Sequence, residues 1–354
     1  MKRLIILATI ILFYSCNNES FDSEYIPLEL DSSIQHFKKI KVFEEYALAK
    51  DTIKIMMDRN LFFSYAYGFK IFNDSLYLIM DITQDKKVYI INNDGVIVKQ
   101  IGKQGNNYGE YNEPTCVEID KSRHEIIVYD DMLNKFIIYD YSGNTLEEYI
   151  SDKKYTNMVF SDNNIYARRT ILTMDFPKNV DNIVDVLNEK FEIIDSIQLP
   201  SLGNSESAKY MPVLMNGFIV IKNKLYLSTP NNFRILCYDL IKKELVAATN
   251  YIPKFINVVS INDEDETTLK MEKLKLNSSI YGMYNINDKH IGFYVDDKLI
   301  LYDLNLNYLT DFKIQNHSLN IVKNNLYFIT KPEMINDSII GKILIYDIYE
   351  EFIH

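Results

Sequence analysis

The stretch Phe136-Ile137-Ile138-Tyr139-Asp140 is an apolar run that ends in Tyr-Asp at a turn, and the chain repeats this pattern. Three more copies end in Tyr-Asp and two end in Asn: Ile235–Asp239, Ile300–Asp303, Leu344–Asp347, Val88–Asn92 and Val184–Asn188. The last residues of successive copies lie 44 to 51 residues apart, except for one interval of 64 residues. Repeats of about 40 to 50 residues are typical of β-propeller blades.

A second pattern precedes each copy, in which turn residues lead into Leu-Tyr or Ile-Tyr. Clear examples are Leu76-Tyr77, Ile165-Tyr166, Leu225-Tyr226 and Leu326-Tyr327. Turns such as Asn93-Asp94-Gly95 are of the hairpin type. Each unit therefore holds several short strands, and six units fit between Tyr67 and His354. The sequence predicts an all-β, six-bladed β-propeller with four-stranded antiparallel blades.

Many of these strands are apolar on both faces, as expected of blades that pack between two neighbours. Parallel α/β sheets share this property, but the helices that would join parallel strands are missing from the sequence. The propeller is expected to span residues 26–354, with a charged insertion of helical character at about 251–277. Because closure removes exposed strand edges, we expect Ile26–Leu30 or Ile40–Val42 to complete the last blade.

The first residues have the features of a bacterial lipoprotein signal. Met1-Lys2-Arg3 is basic, Leu4 to Tyr14 is apolar, and Ser15 is a small residue just before Cys16. The apolar run is shorter than the roughly 20 residues that span a bilayer. The Cys16 segment resembles a lipobox, in which the Cys becomes an acylated N-terminus. We predict a signal peptide at 1–15, lipidation of Cys16 and a polar tether at 16–25, in a protein of the outer membrane on its periplasmic side or at the cell surface.

Composition limits the possible partners and chemistry. The formal net charge of −11 makes nucleic acid a poor partner, because an acidic surface repels phosphates. Cys116 and Cys237 lie in separate apolar strands and are expected to be buried free thiols. No paired His, HExxH or Cys cluster predicts zinc, and acidic turns lack the spacing of an EF-hand. We therefore predict no cofactor, no metal site and no catalytic residue.

The segment Ile101 to Pro114 carries three of the chain's 11 glycines and is the most distinctive in the sequence. It resembles the linker between the first blades of the Bacteroidetes six-bladed β-propeller lipoproteins, which are related to NHL and TolB-like propellers. Residues that match this family's pattern are Gly102, Gly105, Gly109, Glu110, Tyr111 and Pro114. Such a loop is either architectural or lines the mouth of the central channel, where Glu110 and Tyr111 would contact a ligand.

Arg168 and Arg169 are adjacent in a strand-like run of a chain with few arginines. Neighbours on a strand point to opposite faces, so one of them is a candidate anion ligand in a channel, unless both form salt bridges between or within blades. We expect a non-enzymatic binding module, anchored to the membrane through Cys16, for an unknown protein, peptide or glycan. The alternative is a calcium- or zinc-dependent hydrolase or lyase with its site in the funnel.

Overall fold

The computed structural model of this chain describes fifteen segments. They are residues 41–42, 47–57, 66–73, 75–81, 86–162, 164–169, 182–199, 217–228, 234–249, 255–256, 280–314, 318–322, 325–329, 333–335 and 338–348. Strands and turns make up these segments. The expected signal peptide, Cys16, the tether, Ile26–Leu30 and most of the insertion at 251–277 lie outside them.

Five consecutive four-strand meanders form blades 1 to 5. Blade 1 is β3 (Ala66–Asn73), β4 (Leu76–Asp81), β5 (Lys87–Asn92) and β6 (Ile97–Ile101); β7 (Lys103–Gln104) and β8 (Glu110–Tyr111) pair in parallel in the segment that leads to blade 2. Blade 2 is β9 (Pro114–Asp120), β10 (Glu125–Asp130), β11 (Lys135–Asp140) and β12 (Thr145–Ile150). Blade 3 is β13 (Tyr155–Ser161), β14 (Asn164–Arg169), β15 (Asn182–Leu187) and β16 (Ile193–Leu199). Blade 4 is β17 (Phe218–Ile221), β18 (Lys224–Ser228), β19 (Ile235–Asp239) and β20 (Glu244–Ala248), and blade 5 is β21 (Ile280–Ile286), β22 (His290–Val295), β23 (Lys298–Asp303) and β24 (Tyr308–Lys313).

The sixth blade joins the two ends of the described chain. Its strands are β25 (Ser318–Val322), β26 (Asn325–Ile329), β28 (Ser338–Ile348) and, outermost, β2 (Ala47–Met57), with the short β27 (Glu333–Ile335) also paired to β28. An N-terminal strand thus closes the last blade, as expected, but it is neither of the two segments that the sequence suggested. The strand β1 (Lys41–Val42), within the predicted Ile40–Val42 region, instead pairs in parallel with β24 on the outer edge of blade 5. Longer antiparallel pairing with β28 favours Ala47–Met57 as the closing strand.

The six blades form a closed ring. The innermost strands β3, β9, β13, β17, β21 and β25 each contact the next, and β25 contacts β3. Each pair of neighbouring blades packs together through its own apolar cluster, and these six interfaces between blades are called seams here. In β10, for example, Ile126 and Val128 pack towards blade 1, whereas Ile127 and Tyr129 pack towards blade 3. Strands apolar on both faces are therefore what this architecture requires.

In blades 1 to 5 the repeated Asp or Asn closes the hairpin between the third and fourth strands. Asp140 Oδ1 accepts a hydrogen bond from Asn144 N at 2.8 Å, and Asp303 Oδ1 accepts from Asn307 N at 2.9 Å. Asn92 and Asn188 accept backbone N–H groups in the same way in blades 1 and 3. Side chains of Asp and Asn stabilise tight turns through such local hydrogen bonds. The Asp or Asn at the end of each repeat therefore stabilises the same turn in successive blades.

Both cysteines of the propeller are free thiols and are buried, which confirms the expectation from the sequence. Cys116 lies in the seam between blades 2 and 3, where burial raises the pKa of its thiol to about 12. Cys237 lies in the seam between blades 4 and 5, and burial raises its thiol pKa as well. Raised pKa values keep both groups in the unreactive thiol form.

Candidate functional site

The two ends of the propeller differ in the length of their connections. At one end, called here the hairpin end, the first and second strands and the third and fourth strands are joined by two to five residues. At the other, the loop end, the chain passes from blade to blade and from second to third strands. Wherever two consecutive described strands are separated by more than five residues in the sequence, the two strand ends concerned lie at the loop end; the largest separations are 170–181, 200–217 and 249–279. Propeller-like scaffolds carry their binding residues on such loops.

Four innermost strands contain a β-bulge next to the loop end. In β9, Pro114 pairs with Asp130 and Cys116 pairs with Tyr129, so that Thr115 between them is an extra residue. The corresponding extra residues of blades 1, 3 and 5 are Tyr67, Thr156 and Tyr281. Bulges re-aim side chains and are common beside functional sites. Here they surround the axis at the end that carries the long connections.

Two of these bulge residues, Thr115 and Thr156, are next in sequence to Cys116 and Tyr155, which lie in the seam between blades 2 and 3. Thr156 Oγ1, and Asp131 Oδ1 in the turn after β10, are buried and have no hydrogen-bond partner within the described segments, and the buried Thr115 Oγ1 has only a weak hydrogen bond with the Cys116 thiol. None of these three residues was predicted from the sequence. An extra residue in a strand depends on the register of its partner, so a single strand's sequence carries no signal for it.

Arg168 and Arg169 point to opposite faces of β14, as the strand geometry predicted. Arg168 is 1% exposed, and its Nη1 donates to Ser228 O of blade 4 at 3.4 Å. Burial lowers the pKa of its guanidinium to about 9, which leaves it charged at neutral pH. Arg169 donates to both oxygens of the buried Asp185, at 2.6 Å and 2.8 Å. Arg169 thus forms a salt bridge within blade 3, and a role of either arginine in ligand binding stays a prediction.

Glu110 organises the glycine-rich segment between blades 1 and 2. Its Oε2 accepts hydrogen bonds from Asn107 N and Nδ2, both at 2.9 Å, and its Oε1 lies 2.9 Å from Lys103 Nζ. These partners, first of all Lys103, lower the pKa of the Glu110 carboxyl. Gly105 has a φ of +154°, and a Cβ there would lie 2.0 Å from Glu110 Oε2. A glycine is therefore required for the chain to wrap around this carboxylate.

Tyr111 is buried in the seam between blades 1 and 2. Its hydroxyl donates to Ile101 O at 2.7 Å and accepts from Val88 N at 3.1 Å. Burial raises the pKa of this hydroxyl well above its usual value. The contacts of Glu110 and Tyr111 give the segment an architectural role, and their contact with a ligand stays a prediction. The structure does not bring either residue together with Arg168 or Arg169, which belong to blade 3.

A charged pair joins the innermost strands of blades 1 and 2. Lys70 Nζ donates to Glu118 Oε1, and the Glu118 side chain is 10% exposed. Burial raises the pKa of the Glu118 carboxyl, although the Lys70 ammonium opposes this shift. This is a fixed ion pair close to the axis, built from the central positions of β3 and β9.

The described residues hold no group of three or more His, Cys, Asp or Glu side chains that could bind a metal ion. The described part likewise has no helix long and apolar enough to cross a membrane.

Comparison with known families agrees with the ring of six blades. Residues 57–342 match the model of the family DUF5128, which is described as a 6-bladed beta-propeller. This chain belongs to that family. The matched region begins at the last residue of β2 and ends within β28, so it covers blades 1 to 5 and part of blade 6. A search of curated proteins gives no match.

Solved structures show the same fold in other propellers. A protein of Bacteroides fragilis described as exported has a TM-score of 0.62 at 15% identity and covers 87% of this chain and 97% of its own. A member of the duf4221 family from Bacteroides vulgatus has a TM-score of 0.64 at 10% identity, with coverage of 86% and 98%. The virginiamycin B lyase of Staphylococcus aureus has a TM-score of 0.50 at 15% identity, with coverage of 82% and 87%. At these identities the likeness concerns the fold alone.

Proposed function

We propose that this protein is a lipid-anchored binding module of the cell envelope that holds a protein, peptide or glycan at the loop end of its propeller. The observation that carries the proposal is that the strand ends with the longest separations in sequence and the four bulges of the innermost strands lie at one end of the ring. Binding sites favour loops on a rigid scaffold, and bulges re-aim the side chains beside them.

The membrane anchor rests on the N-terminal sequence. A basic start, a short apolar run and Cys16 at its end together fit an acylated lipoprotein of the outer membrane, on the periplasmic side or at the cell surface. The description of the Bacteroides fragilis relative as exported supports a location outside the cytoplasm. Several acyl chains, each CH₂ contributing about 0.8 kcal/mol on burial, would make the attachment stable.

Mass spectrometry of the protein purified from membranes tests the anchor. The expected N-terminal peptide begins at Cys16 and carries acyl chains, and a Cys16→Ser variant should leave the membrane fraction. A mature protein that begins at another residue, or a Cys16→Ser variant that stays with the membrane, contradicts the anchor but leaves the binding role to be judged separately.

A matched pair of cysteine variants tests the binding end. Met132 lies in the turn after β10 at the loop end and is 65% exposed, whereas Ile241 lies in a turn at the hairpin end and is 72% exposed. Both variants are made in a Cys16→Ser background; because Cys116 and Cys237 are buried, a bulky polyethylene-glycol maleimide should then label only the introduced thiol. The full chain is first tested on arrays of neutral oligosaccharides, uronate-containing oligosaccharides and peptides.

Labelled Met132→Cys should lose binding to the array members that the wild type retains, and labelled Ile241→Cys should keep it. Retained binding after labelling at Met132→Cys contradicts a site at the loop end. Absence of binding to every array member contradicts the binding module itself.

A further inference from the structure

We infer that the hairpin end of blades 3 and 4 rests on the anionic phospholipid surface of the membrane that holds Cys16, with the loop end turned away from the bilayer. This inference rests on the lipid anchor of the proposed function and adds the orientation of the ring on the membrane. The surface concerned, called here the basic corner, consists of exposed isoleucines and lysines: Ile193, Ile194, Lys222, Ile241, Lys242 and Lys243.

Two contacts bring these residues to one surface. Leu240 N donates to Asn223 O at 2.9 Å, which joins the turn after β19 to the turn after β17. Lys243 Nζ lies 2.7 Å from Asp195 Oδ2, which joins the turn after β19 to Ile194 and its neighbours in β16 of blade 3. Residues of two neighbouring blades therefore form one corner of the hairpin end.

The isoleucines of the basic corner are unusually exposed for large apolar residues. Ile241 is 72% exposed, Ile194 57% and Ile193 38%. Ile194 is the extra residue of a β-bulge in β16, because the two residues beside it pair with consecutive residues of β15. A bulge re-aims the side chain that it carries. Exposed apolar side chains beside lysines are typical of surfaces that enter the interface of a membrane.

Blade 4 differs from other blades in the turn between its third and fourth strands. This turn, Leu240-Ile241-Lys242-Lys243, holds two lysines, and Lys222 lies in the other turn of blade 4 at the same end. The equivalent turns of blades 1, 2 and 5, residues 93–96, 141–144 and 304–307, hold no lysine or arginine. Charge therefore distinguishes this corner from the rest of the hairpin end.

The lysines at this end of blade 4 outnumber the carboxylates that interact with them. There are four lysines, Lys222, Lys224, Lys242 and Lys243, and three such carboxylates, Asp195, Asp239 and Glu244. The whole chain has a formal net charge of −11, so an anionic surface meets the least repulsion where lysines are in excess. Each lysine close to such a surface strengthens the contact about fivefold.

The direction of the N-terminal chain agrees with this orientation. β1 is parallel to β24, which leads from the hairpin end to the loop end of blade 5, so the chain reaches Lys41 from the side of the hairpin end. Residues 16–40 could span up to roughly 80 Å if fully extended. A tether that can be this long does not fix the ring by itself, so contact at the basic corner is what selects the end that faces the membrane.

Quenching of a thiol-bound fluorophore by a lipid with a nitroxide on its headgroup tests the orientation. The protein, purified with its acylated Cys16, is reconstituted in vesicles of phosphatidylcholine with about one third phosphatidylglycerol. The fluorophore is attached at Asn223→Cys, an exposed position between the lysines of the basic corner, or at Met132→Cys at the loop end. Cys116 and Cys237 are buried and acylation blocks the thiol of Cys16, so only the introduced thiol is labelled.

The label at Asn223→Cys should be quenched, and the label at Met132→Cys should not. Lys242→Glu with Lys243→Glu should lower the quenched fraction at position 223 about fivefold or more, because both lysines contribute to the contact. High salt should do the same, since it screens exposed charges.

The matched control is Lys153→Glu with Lys154→Glu, which makes the same change of charge in two adjacent lysines at the loop end. It should leave the quenching at position 223 nearly unchanged. All four lysine side chains are at least 40% exposed, so both double variants should keep the melting temperature of the wild type.

Several outcomes would overturn the inference. Equal quenching at the two labelled positions, or quenching at Met132→Cys alone, contradicts the orientation. Quenching at position 223 that persists in high salt and in Lys242→Glu with Lys243→Glu contradicts the role of the lysines. If position 223 stays unquenched while a polyglutamate peptide binds the wild type and not this double variant, the basic corner binds an acidic protein instead.

Failure of the anchor is seen separately, by mass spectrometry of the same preparation. If Cys16 carries no acyl chains, the labelled proteins are held on the vesicles by an N-terminal hexahistidine tag and a nickel-chelating lipid. Quenching at position 223 and not at position 132 then still supports the basic corner, and its absence overturns the inference.

Discussion

Arg169 holds the buried Asp185 carboxylate with two parallel hydrogen bonds, from Nε to Oδ2 at 2.6 Å and from Nη2 to Oδ1 at 2.8 Å. Asp185 also accepts from Tyr155 Oη at 3.1 Å and from Ser196 Oγ at 2.6 Å, and it has no exposed surface. The pair therefore links β14, β15, β16 and the first residue of β13. Bidentate geometry of this kind is specific to arginine.

Arg169→Leu should lower the free energy of unfolding by about 3 kcal/mol, because it leaves a buried carboxylate without its cation. Urea denaturation at neutral pH measures this change. The control is Lys243→Met, which removes a pair of similar length with Asp195, 2.7 Å, but in an exposed position. That variant should lose less than about 1 kcal/mol, as exposed pairs usually do. Equal losses in the two variants would show that burial does not decide the strength of the Arg169 pair.

Gly105→Ala should destabilise the protein more than Gly143→Ala. Both glycines have positive φ, but a Cβ at Gly105 meets Glu110 Oε2 at 2.0 Å, whereas a Cβ at Gly143 meets the flexible Lys99 Cε at 3.1 Å. We expect a loss of about 1 kcal/mol at Gly143 from backbone strain and about 2 to 4 kcal/mol at Gly105, where the carboxylate must also move. Thermal unfolding of the two variants measures the difference, and equal losses would contradict the clash with Glu110.

Asp140→Ala should cost about 1 kcal/mol, since it removes the hydrogen bonds from Asn144 N and Nδ2, both at 2.8 Å. Asp140→Asn should be close to neutral, because Asn92 and Asn188 fill the same position in blades 1 and 3. Denaturant unfolding of both variants decides the matter. If asparagine proves as costly as alanine, the negative charge rather than the turn hydrogen bond explains the repeat.

Glu118→Gln should change how stability depends on pH. Burial raises the folded-state pKa of Glu118 above its unfolded value, so this group stabilises the fold at low pH and loses that contribution as pH rises through the folded pKa. The stability of Glu118→Gln relative to wild type should therefore increase as pH rises above the ordinary glutamate pKa of 4.5.

Asp140→Asn serves as the control, because its stability relative to wild type should change with pH in the opposite direction. The hydrogen bond from the Asn144 side chain lowers the folded-state pKa of Asp140, so wild type loses this contribution as pH falls through that value. Urea unfolding at a series of pH values measures, for each variant, the slope of its free energy of unfolding relative to wild type against pH. Slopes of the same sign for the two variants would contradict the assigned causes of the pKa shifts.

The fold was predictable because its signal is local and repeated. Asp140 and its equivalents form their turn with residues two to four positions later, so the pattern is visible within one blade and recurs with the blade. The two-faced apolar strands follow from the seams on both sides of every blade. Neither feature needs knowledge of distant contacts.

The prediction that an N-terminal strand closes the last blade is confirmed, but the predicted position of this strand was wrong. Thr52, Ile53, Lys54 and Ile55 alternate between exposed and buried, which is the period of an edge strand with one covered face. That signal was present, but it competes with short apolar runs such as Ile40–Val42. The pairing with β28, some 290 residues away, decides between them.

The seam between blades 2 and 3 was not predictable from the sequence. Thr115 and Thr156 read as ordinary strand residues until the partner strands show that each is an extra residue in the register. Arg168 and Arg169 stood out by composition, yet their environments depend on Ser228 and Asp185, which are distant in sequence. Residue type predicted the chemistry of these groups, and only the fold gave their neighbours.

The N-terminal strand β2 closes the ring by pairing with β28. Lys54 and Lys342 stand directly opposite each other in this pair, at a separation that suits a disulfide. In a control, Lys50→Cys with Lys342→Cys places the two thiols about four residues, roughly 13 Å, out of register along the strands.

Mass spectrometry of disulfide-linked peptides after mild oxidation of the Lys54→Cys, Lys342→Cys double variant tests closure most directly. The closed ring predicts a link between positions 54 and 342 in most molecules, with little or none in the control pair. Absence of that link, or equal linkage in the two pairs, would contradict closure of the sixth blade by residues from both ends of the chain.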